Sequence, residues 1–236
     1  MLVRTWTRIA AVGIADVAIA LLCAAAAFAA DPAPSPGSST WFSQALSHSD
    51  AGLNVTYFWS KGARLRAETV IAGRRVTTIV SGNTYYAYDA VSQNGVAVVR
   101  SPKAIAADAR GERPFGREFE NLVSQGAERI RDEQVMGRAC EVFRLTDQLG
   151  RRELWVTKDK LRLPVRVVIY RRDTQKTATT DFVNWLTGLS IADAFFEPES
   201  SIKFERLDFE SYIRRSSTGE PIGPVPVLYT DLLVGR

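Results

Sequence analysis

Few residues of this 236-residue sequence have the types and spacing that catalysis requires. A nucleophile–base pair would need the only histidine, His48 in a polar loop, to meet Cys140, which falls in the middle of a predicted strand. No GxSxG, HExxH, P-loop or GxGxxG motif occurs. The carboxylates Glu68, Glu153 and Asp181 are scattered along strands, as solvated or ion-paired residues are, rather than paired as in a glycosidase. The sequence therefore predicts no catalytic residues, no enzyme and no cofactor.

Aromatic residues are the second group that could form a functional site, because large rings form either a packed core or the wall of an apolar site. Each of them falls in a stretch with strand character: Trp41, Trp59, Tyr86, Tyr88, Trp155 and Trp185. Taken alone, this distribution favours ordinary core packing.

Composition narrows the class of protein. Hydrophobic residues make up 46% and charged residues 24%, which are globular values that exclude wholesale disorder. A formal net charge of +4 is too small to predict a nucleic-acid partner. One histidine and two cysteines exclude a zinc site rich in either residue. If export removes Cys23, Cys140 has no intramolecular disulfide partner, and we expect it to be a buried, inert strand residue.

The N-terminus has the pattern of a targeting segment. Arg4 and Arg8 precede an apolar run that ends in small residues, and Ala27-Phe28-Ala29 fits a cleavage site. We predict a signal peptide over residues 1–29, cleavage near Ala29/Ala30 and a periplasmic mature protein. The alternative is a membrane anchor formed by an uncleaved segment, although Asp16 interrupts the run.

The remaining chain has the pattern of a succession of β-hairpins. Residues 30–40 (DPAPSPGSST with the preceding alanine) predict a disordered Pro/Ser linker. From Trp41 onward, short runs rich in Val, Thr, Tyr and Trp alternate with turn signals, which predicts about ten strands with antiparallel neighbours. Between 103 and 127 the spacing changes, and we predict one or two short helices there.

Several of these strands are apolar on both faces. Val165, Val167 and Ile169 share one face of their strand, while Val168 and Tyr170 lie on the other. The predicted fold is mainly β, a half-open curved antiparallel β-barrel with the one or two short helices across its mouth.

Four motifs then resemble the LolA-like periplasmic lipoprotein-carrier superfamily, which includes LolA, LolB and RseB types. They are residues 58–66 (FWSKGARLR), 79–89 (IVSGNTYYAYD), 154–158 (LWVTK) followed by 163–166 (LPVR), and 194–198 (AFFEP). The resemblance spans residues 41–202 and rests on the order and spacing of the motifs together.

This resemblance implies an apolar cavity that holds acyl chains. Partners implied are a lipid or an acylated lipoprotein, with an envelope protein as a further candidate and no nucleic acid or metal. Lys61 and Arg64 are candidate lid or headgroup contacts, because Gly62 stands where the carriers have a lid-locking arginine. The candidates for the cavity wall are Trp59, Tyr86, Tyr88, Trp155, Val167 and Trp185.

Residues 203–236 have no counterpart in the resemblance. The segment carries many large apolar residues interrupted by Gly and Pro between 219 and 226, so we expect it to pack back onto the β-domain. The predicted function is a periplasmic carrier of acylated ligands. The alternative is a protein-interaction or envelope-stress regulatory module of the RseB type, without transport.

Overall fold

The computed structural model describes residues 40–50, 52–110 and 116–235, and the predicted signal peptide lies outside them. Twelve strands in these ranges form one sheet: β1 Trp41–Ser49, β2 Gly52–Lys61, β3 Arg64–Ile71, β4 Arg74–Ser81, β5 Thr84–Asp89, β6 Asn94–Val99, β7 Glu128–Val135, β8 Arg138–Thr146, β9 Gly150–Thr157, β10 Pro164–Arg171, β11 Lys176–Thr187 and β12 Lys203–Leu207. The helices are α1 Pro102–Ala109, α2 Glu118–Ser124, α3 Phe209–Thr218 and α4 Asp231–Val234, with a 3-10 helix at Asp193–Phe196.

The strand order is β12-β6-β5-β4-β3-β2-β1-β11-β10-β9-β8-β7. Neighbouring strands in this order run antiparallel, and β12 alone among them runs parallel to its neighbour, β6. The predicted half-open, curved β architecture is confirmed, with an open sheet of twelve strands rather than about ten. Two of the four described helices, α1 and α2, lie in the region where one or two were expected.

Glycine-containing turns fix the register of the first hairpins. Gly62 and Gly82 adopt φ values of 56° and 58°, in the left-handed region that side chains with a Cβ rarely enter. A Cβ at either position would meet no described atom within 4 Å, so the dihedral angle rather than space requires glycine there.

The face of the sheet that carries the helices, called here the inner face, holds the main core. Register places Phe58, Ala67, Ala87 and Val96 on this face, one from each of four strands. Its fully buried side chains also include Trp41, Leu65, Val80 and Tyr85. On β8 and β9, α2 covers the same face by packing Leu122 against Leu154 and Val156.

The opposite, outer face is covered in part by residues 195–204. Phe195 and Phe196 of the 3-10 helix, with Ile202 and Phe204, pack on strands β2 to β5. A second outer cluster joins Cys140, Val142 and Trp155.

The last residues of the chain lie on the inner face. Asp208 caps α3 by accepting a hydrogen bond from the Ser211 backbone N–H at 2.6 Å. Residues 220–229 then form no helix or strand, as their Gly and Pro content predicts. Val225, Leu232 and Leu233 are buried in the inner core.

Candidate functional site

A cavity of about 880 Å³ lies between α1, α2, α4 and the strands β9 and β10. Its volume falls in the range of pockets that hold small organic ligands, about 300–1,000 Å³. Because α1 follows β6 while α2 precedes β7, the cavity lies where the curvature of the sheet brings its two halves together.

The apolar floor of this cavity is formed by Leu122, Leu154, Val167 and Ile169. Register sets three of them side by side, because Val167 pairs with Leu154 on β9 and Ile169 lies two residues further along β10. Leu122 reaches the floor because α2 packs on β8 and β9, where the rings of Phe119 and Phe143 meet edge to face at 5.0 Å.

Charged side chains surround this floor. The basic ones are Lys103, Arg110, Arg117 and Arg152, and the acidic ones besides Glu118 include Glu120 and Asp231. Arg152 also forms an ion pair with Asp147, with 2.9 Å between Nη2 and Oδ2. The described lining thus combines an apolar floor with charged groups of both signs, an arrangement suited to an amphiphile.

Glu118, the first residue of α2, belongs to the wall of the cavity. Its Oε2 atom is shielded from water and has no hydrogen-bond partner in the part of the chain that the structure describes. Burial disfavours the charged form and raises the pKa of Glu118 to about 8, although hydrogen bonds from backbone N–H groups act in the opposite direction. At neutral pH, Glu118 is therefore protonated in most molecules.

The six residues predicted for the cavity wall are divided between the two faces. Val167 lines the cavity. Trp185 also lies on the inner face, where its ring is 5.1 Å from that of Trp41 and 5.4 Å from that of Phe182. Its indole N–H donates to the Pro164 carbonyl at 2.7 Å, which fixes the orientation of the ring.

The other four, Trp59, Tyr86, Tyr88 and Trp155, lie on the outer face. Trp59 contacts Phe195 edge to face at 5.3 Å, and both tyrosine rings meet Phe204. Trp155 packs in the outer cluster beneath the guanidinium of Arg131, whose Cζ is 5.5 Å from the ring centroid. The structure does not bring these four together with Val167 and Trp185.

Lys61 and Arg64 flank the turn between β2 and β3, and both bind Asp193 of the 3-10 helix. Each forms an ion pair of 2.7 Å with Asp193 Oδ1, and Lys61 also donates to the Ile191 carbonyl at 2.7 Å. Hydrogen bonds from Arg64 and Lys61 lower the pKa of Asp193 to about 2. These two side chains therefore hold the segment before β12 on the outer face.

Several residues of the cavity were not identified from the sequence. Leu154 and Ile169 share a face with Val167, so alternation along β9 and β10 is a signal that would have found them. Glu118 and Asp231 carry no such signal, because they reach the cavity through the packing of α2 and α4.

Comparison with known proteins assigns the family. The model of DUF2092, described as a predicted periplasmic protein, matches residues 53–209, which is more than half of the chain. The chain belongs to this family of predicted periplasmic proteins, and the LolA-like fold expected from the motifs is confirmed. No curated protein matches the sequence.

Solved structures superpose on this chain at low sequence identity. An uncharacterised conserved protein from Thermus thermophilus superposes with a TM-score of 0.51 at 11% identity, covering 72% of this chain and 91% of that chain. A chain of the Pseudomonas aeruginosa MucA/MucB complex superposes with a TM-score of 0.46 at 14% identity, covering 70% of this chain and 57% of that chain. LprF from Mycobacterium bovis superposes with a TM-score of 0.40 at 12% identity, covering 65% of this chain and 88% of that chain. At 11% identity, the superposition on the Thermus thermophilus protein shows the fold alone.

The described residues offer neither a membrane-spanning helix nor a cluster of metal-ligating side chains. None of their helices combines the length and apolar character needed to cross a membrane. Within the same part of the chain, no group of three or more His, Cys, Asp or Glu side chains is arranged to hold a metal ion.

Proposed function

We propose that this protein binds an acyl chain of a lipid or an acylated lipoprotein in the cavity between α1, α2, α4 and strands β9 and β10. The observation that supports this proposal is the apolar floor of Leu122, Leu154, Val167 and Ile169 within a space of about 880 Å³. Each methylene moved from water onto such a floor contributes about 0.8 kcal/mol, so one chain supplies several kcal/mol after ordering costs. No catalytic step belongs to this role.

The proposal places the mature protein in the periplasm. Membership of a family of predicted periplasmic proteins supports this compartment. A binding protein there would hold an acyl chain away from water between the membranes.

Lipid extraction tests the proposal directly. The protein is purified from the periplasm without detergent, extracted with solvent and examined by lipid mass spectrometry. We expect a bound acylated species. Ile169→Asp puts a charge on the floor at a side chain that is already 40% exposed, and should reduce the recovered lipid about tenfold.

Leu186→Asp is the matched control, because Leu186 is 52% exposed and its neighbour in register, Phe42, lies on the outer face. This variant should retain the lipid. Equal loss of lipid in both variants, or a wild-type protein that yields no lipid, would contradict the proposed site.

A protein-interaction or regulatory role on the same fold is the second candidate. The observation that favours it is a row of half-buried rings on the outer face, in which Phe42, Tyr57 and Trp59 lie 5.2 to 6.4 Å apart. Rings of this kind are enriched where proteins bind each other. Lipid-free protein that captures a single envelope protein, and loses it on Tyr57→Ser, would favour this candidate.

A further inference from the structure

The most exposed apolar side chains of this protein lie at the hairpin turns of one end of the sheet. Among the described residues, the three large apolar side chains with the greatest exposure are Leu53, Val91 and Leu149, at 64%, 90% and 81%. A single exposed aliphatic side chain is ordinary on a protein surface. Three of them at three separate turns of the same end form a repeated feature that needs a physical reason.

Strand pairing places the three side chains at the same end. Leu53 lies beside the β1–β2 turn, Val91 lies in the turn between β5 and β6, and Leu149 lies in the turn between β8 and β9. From β6 to β8 in the strand order each strand runs antiparallel to its neighbours, so these three turns fall at one end of the sheet. We call these three side chains the apolar rim. Because neighbouring strands lie about 4.8 Å apart, successive members of the apolar rim are separated by about 19 Å along the curved sheet.

Two of the three turns display their aliphatic residue in the same way. Asp89 Oδ1 accepts a hydrogen bond from the backbone N–H of Val91 at 2.9 Å. Asp147 Oδ1 accepts one from the backbone N–H of Leu149 at 2.8 Å. A carboxylate two residues before the aliphatic residue thus fixes the turn from which that side chain projects. The exposure of Val91 and Leu149 is therefore a consequence of a defined turn geometry.

The carboxylates of these turns are balanced by basic groups. Each of the three turns contains one aspartate that forms an ion pair: Asp50 with Lys176 at 3.6 Å, Asp89 with Arg74 at 3.0 Å and Asp147 with Arg152 at 2.9 Å. The β10–β11 turn at the same end adds a fourth pair, in which Arg171 and Asp173 are 2.7 Å apart. Ion pairs exposed to solvent exert only a weak field at a distance, so the aliphatic side chains dominate what this end can bind.

A bilayer surface fits this arrangement better than a protein partner does. A specific protein interface buries a continuous patch of about 800 Å² on each partner around a packed centre. The apolar rim instead presents single side chains about 19 Å apart, with polar turns between them. Lipids are fluid and rearrange around single side chains, which can enter the boundary between headgroups and acyl chains without a matched pocket.

We propose that the apolar rim docks on the surface of a phospholipid bilayer, with Leu53, Val91 and Leu149 inserted at the level of the headgroups. Docking by this end brings the cavity close to the membrane, because Ile169 of the cavity floor lies two residues before the end of β10 at the same end. The inference goes beyond the binding of an acyl chain and does not depend on it, since a protein with an empty cavity would dock in the same way.

Flotation with vesicles tests the proposal. Protein purified from the periplasm without detergent is mixed with vesicles of phosphatidylcholine, or of phosphatidylcholine with phosphatidylglycerol, and the fraction that floats is measured. We expect binding to both kinds of vesicle. The variants Leu53→Asn, Val91→Asn and Leu149→Asn keep the net charge, and each should weaken binding about fivefold. The triple variant should not bind.

Met136→Asn is the matched control. Met136 lies in the turn between β7 and β8 at the opposite end of the sheet and is 47% exposed. Its φ value of 50° is one that asparagine adopts readily. This variant should bind vesicles as the wild type does. Because all the substituted side chains are exposed, the melting temperature of each variant should match that of the wild type, which shows that any loss of binding is not a loss of folding.

The outcomes separate docking from acyl binding. Wild-type protein that binds neither kind of vesicle, or equal loss of binding in Met136→Asn, would overturn the proposal. Binding that requires phosphatidylglycerol, disappears in high salt and persists in the triple variant would also overturn it, because charge rather than the apolar rim would then hold the protein. Calorimetry with dodecanoate is the separate measurement of acyl binding. The triple variant should bind dodecanoate like the wild type, since none of its three sites lines the cavity.

Discussion

Two carboxyl groups of this protein carry opposite pKa shifts because their surroundings differ. Burial without a full set of partners among the described residues raises the pKa of Glu118 to about 8. The guanidinium of Arg64 and the ammonium of Lys61 lower the pKa of Asp193 to about 2. At the scale of the residue, position in the fold therefore decides which carboxyl group is charged at neutral pH.

Glu118→Gln should stabilise the protein, and the gain should grow with pH. The folded-state pKa of Glu118 lies above the value of 4.5 expected for an unshifted group, so between pH 4.5 and about 8 the unfolded chain releases a proton that the folded chain keeps. Stability contributed by this group is fully present below pH 4.5 and declines until about pH 8. Urea unfolding should show a gain on the order of 1–2 kcal/mol at pH 8 and none at pH 4.5.

Glu120→Gln serves as its control, since Glu120 is on the same helix. A stability gain of Glu118→Gln that is the same at both pH values would show that the carboxyl group is not held neutral by the fold.

Trp155→Ala and Trp185→Ala should separate stability from ligand binding. Trp155 is buried on the outer face, so its removal should cost about 3–5 kcal/mol of stability and leave the lipid affinity of the folded protein unchanged. Trp185 packs on the inner face in the same cluster as Val167, and its removal should weaken lipid binding as well. Urea unfolding and fluorescence titration with lipid, measured on both variants, check this. A loss of lipid affinity confined to Trp155→Ala would show that Trp155, and not Trp185, contributes to the lipid site.

At the scale of elements, the C-terminal segment is held to the sheet by polar contacts as well as by apolar ones. The Tyr229 hydroxyl hydrogen-bonds with the hydroxyls of Thr69 at 2.7 Å and Thr56 at 3.2 Å. The Tyr85 hydroxyl donates to the Leu228 carbonyl at 2.5 Å and accepts from the Leu228 N–H at 3.0 Å. Arg100 Nε donates to the Leu232 carbonyl at 2.7 Å. The two bonds with Tyr85 satisfy both backbone groups of Leu228, which lies outside any helix or strand.

Truncation after Gly219 should therefore lower the melting temperature by at least about 5 °C, because it uncovers a large part of the inner core. Calorimetry and binding of a hydrophobic dye measure the two consequences. Tyr229→Phe is the milder companion variant and should cost about 1 kcal/mol, since Thr56 and Thr69 keep a hydrogen bond of 3.1 Å to each other. A truncated chain with an unchanged melting curve would mean that the segment contributes nothing to the fold.

At the scale of the whole molecule, β1 joins the two halves of the sheet. It pairs with β2 along its full length and with β11 from Trp41 to His48, although β11 lies more than a hundred residues later in the chain. Strand β1 is therefore central in space, with a partner strand along each of its two edges.

Ala45→Pro should unfold both halves together. Ala45 is buried in β1, and a proline there removes a ladder hydrogen bond and costs more than about 3 kcal/mol. Circular dichroism and Trp fluorescence in urea should report one shared unfolding transition, with its midpoint at a lower urea concentration than in the wild type. Lys160→Pro, in the exposed connection between β9 and β10, should leave the midpoint nearly unchanged. Separate transitions for the two signals would contradict the linking role of β1.

Export remains a prediction for the part of the chain before residue 40. We expect the mature protein to begin near Ala30 and to be recovered from the periplasm without detergent. N-terminal sequencing of protein from fractionated cells checks this. Met1 retained on membrane-bound material would show an uncleaved anchor instead.

Much of the fold could be predicted from local signals. Turn residues such as Gly62 and Gly82 marked the hairpins, and the spacing of Phe119, Leu122 and Val123 marked α2. Strand β12 and helix α3 were not predicted, even though Asp208 and Gly219 are ordinary helix boundaries. The sequence predicted only that their apolar residues pack back onto the β-domain, because nothing local to residues 203–207 shows that the edge of β6 is free to pair with them.

The sequence by itself determined where most of the strands and turns fall and that the chain adopts a half-open LolA-like sheet. Only the tertiary structure decided which distant element covers each face of a strand. Trp59 and Trp155 lie in strands that are apolar on both sides, so alternation cannot assign their faces. Phe195 covers Trp59 from more than a hundred residues away, and Tyr229 covers Phe58 from further still. Strand period and turn chemistry act between neighbours in sequence, whereas burial depends on elements that meet only in the folded chain.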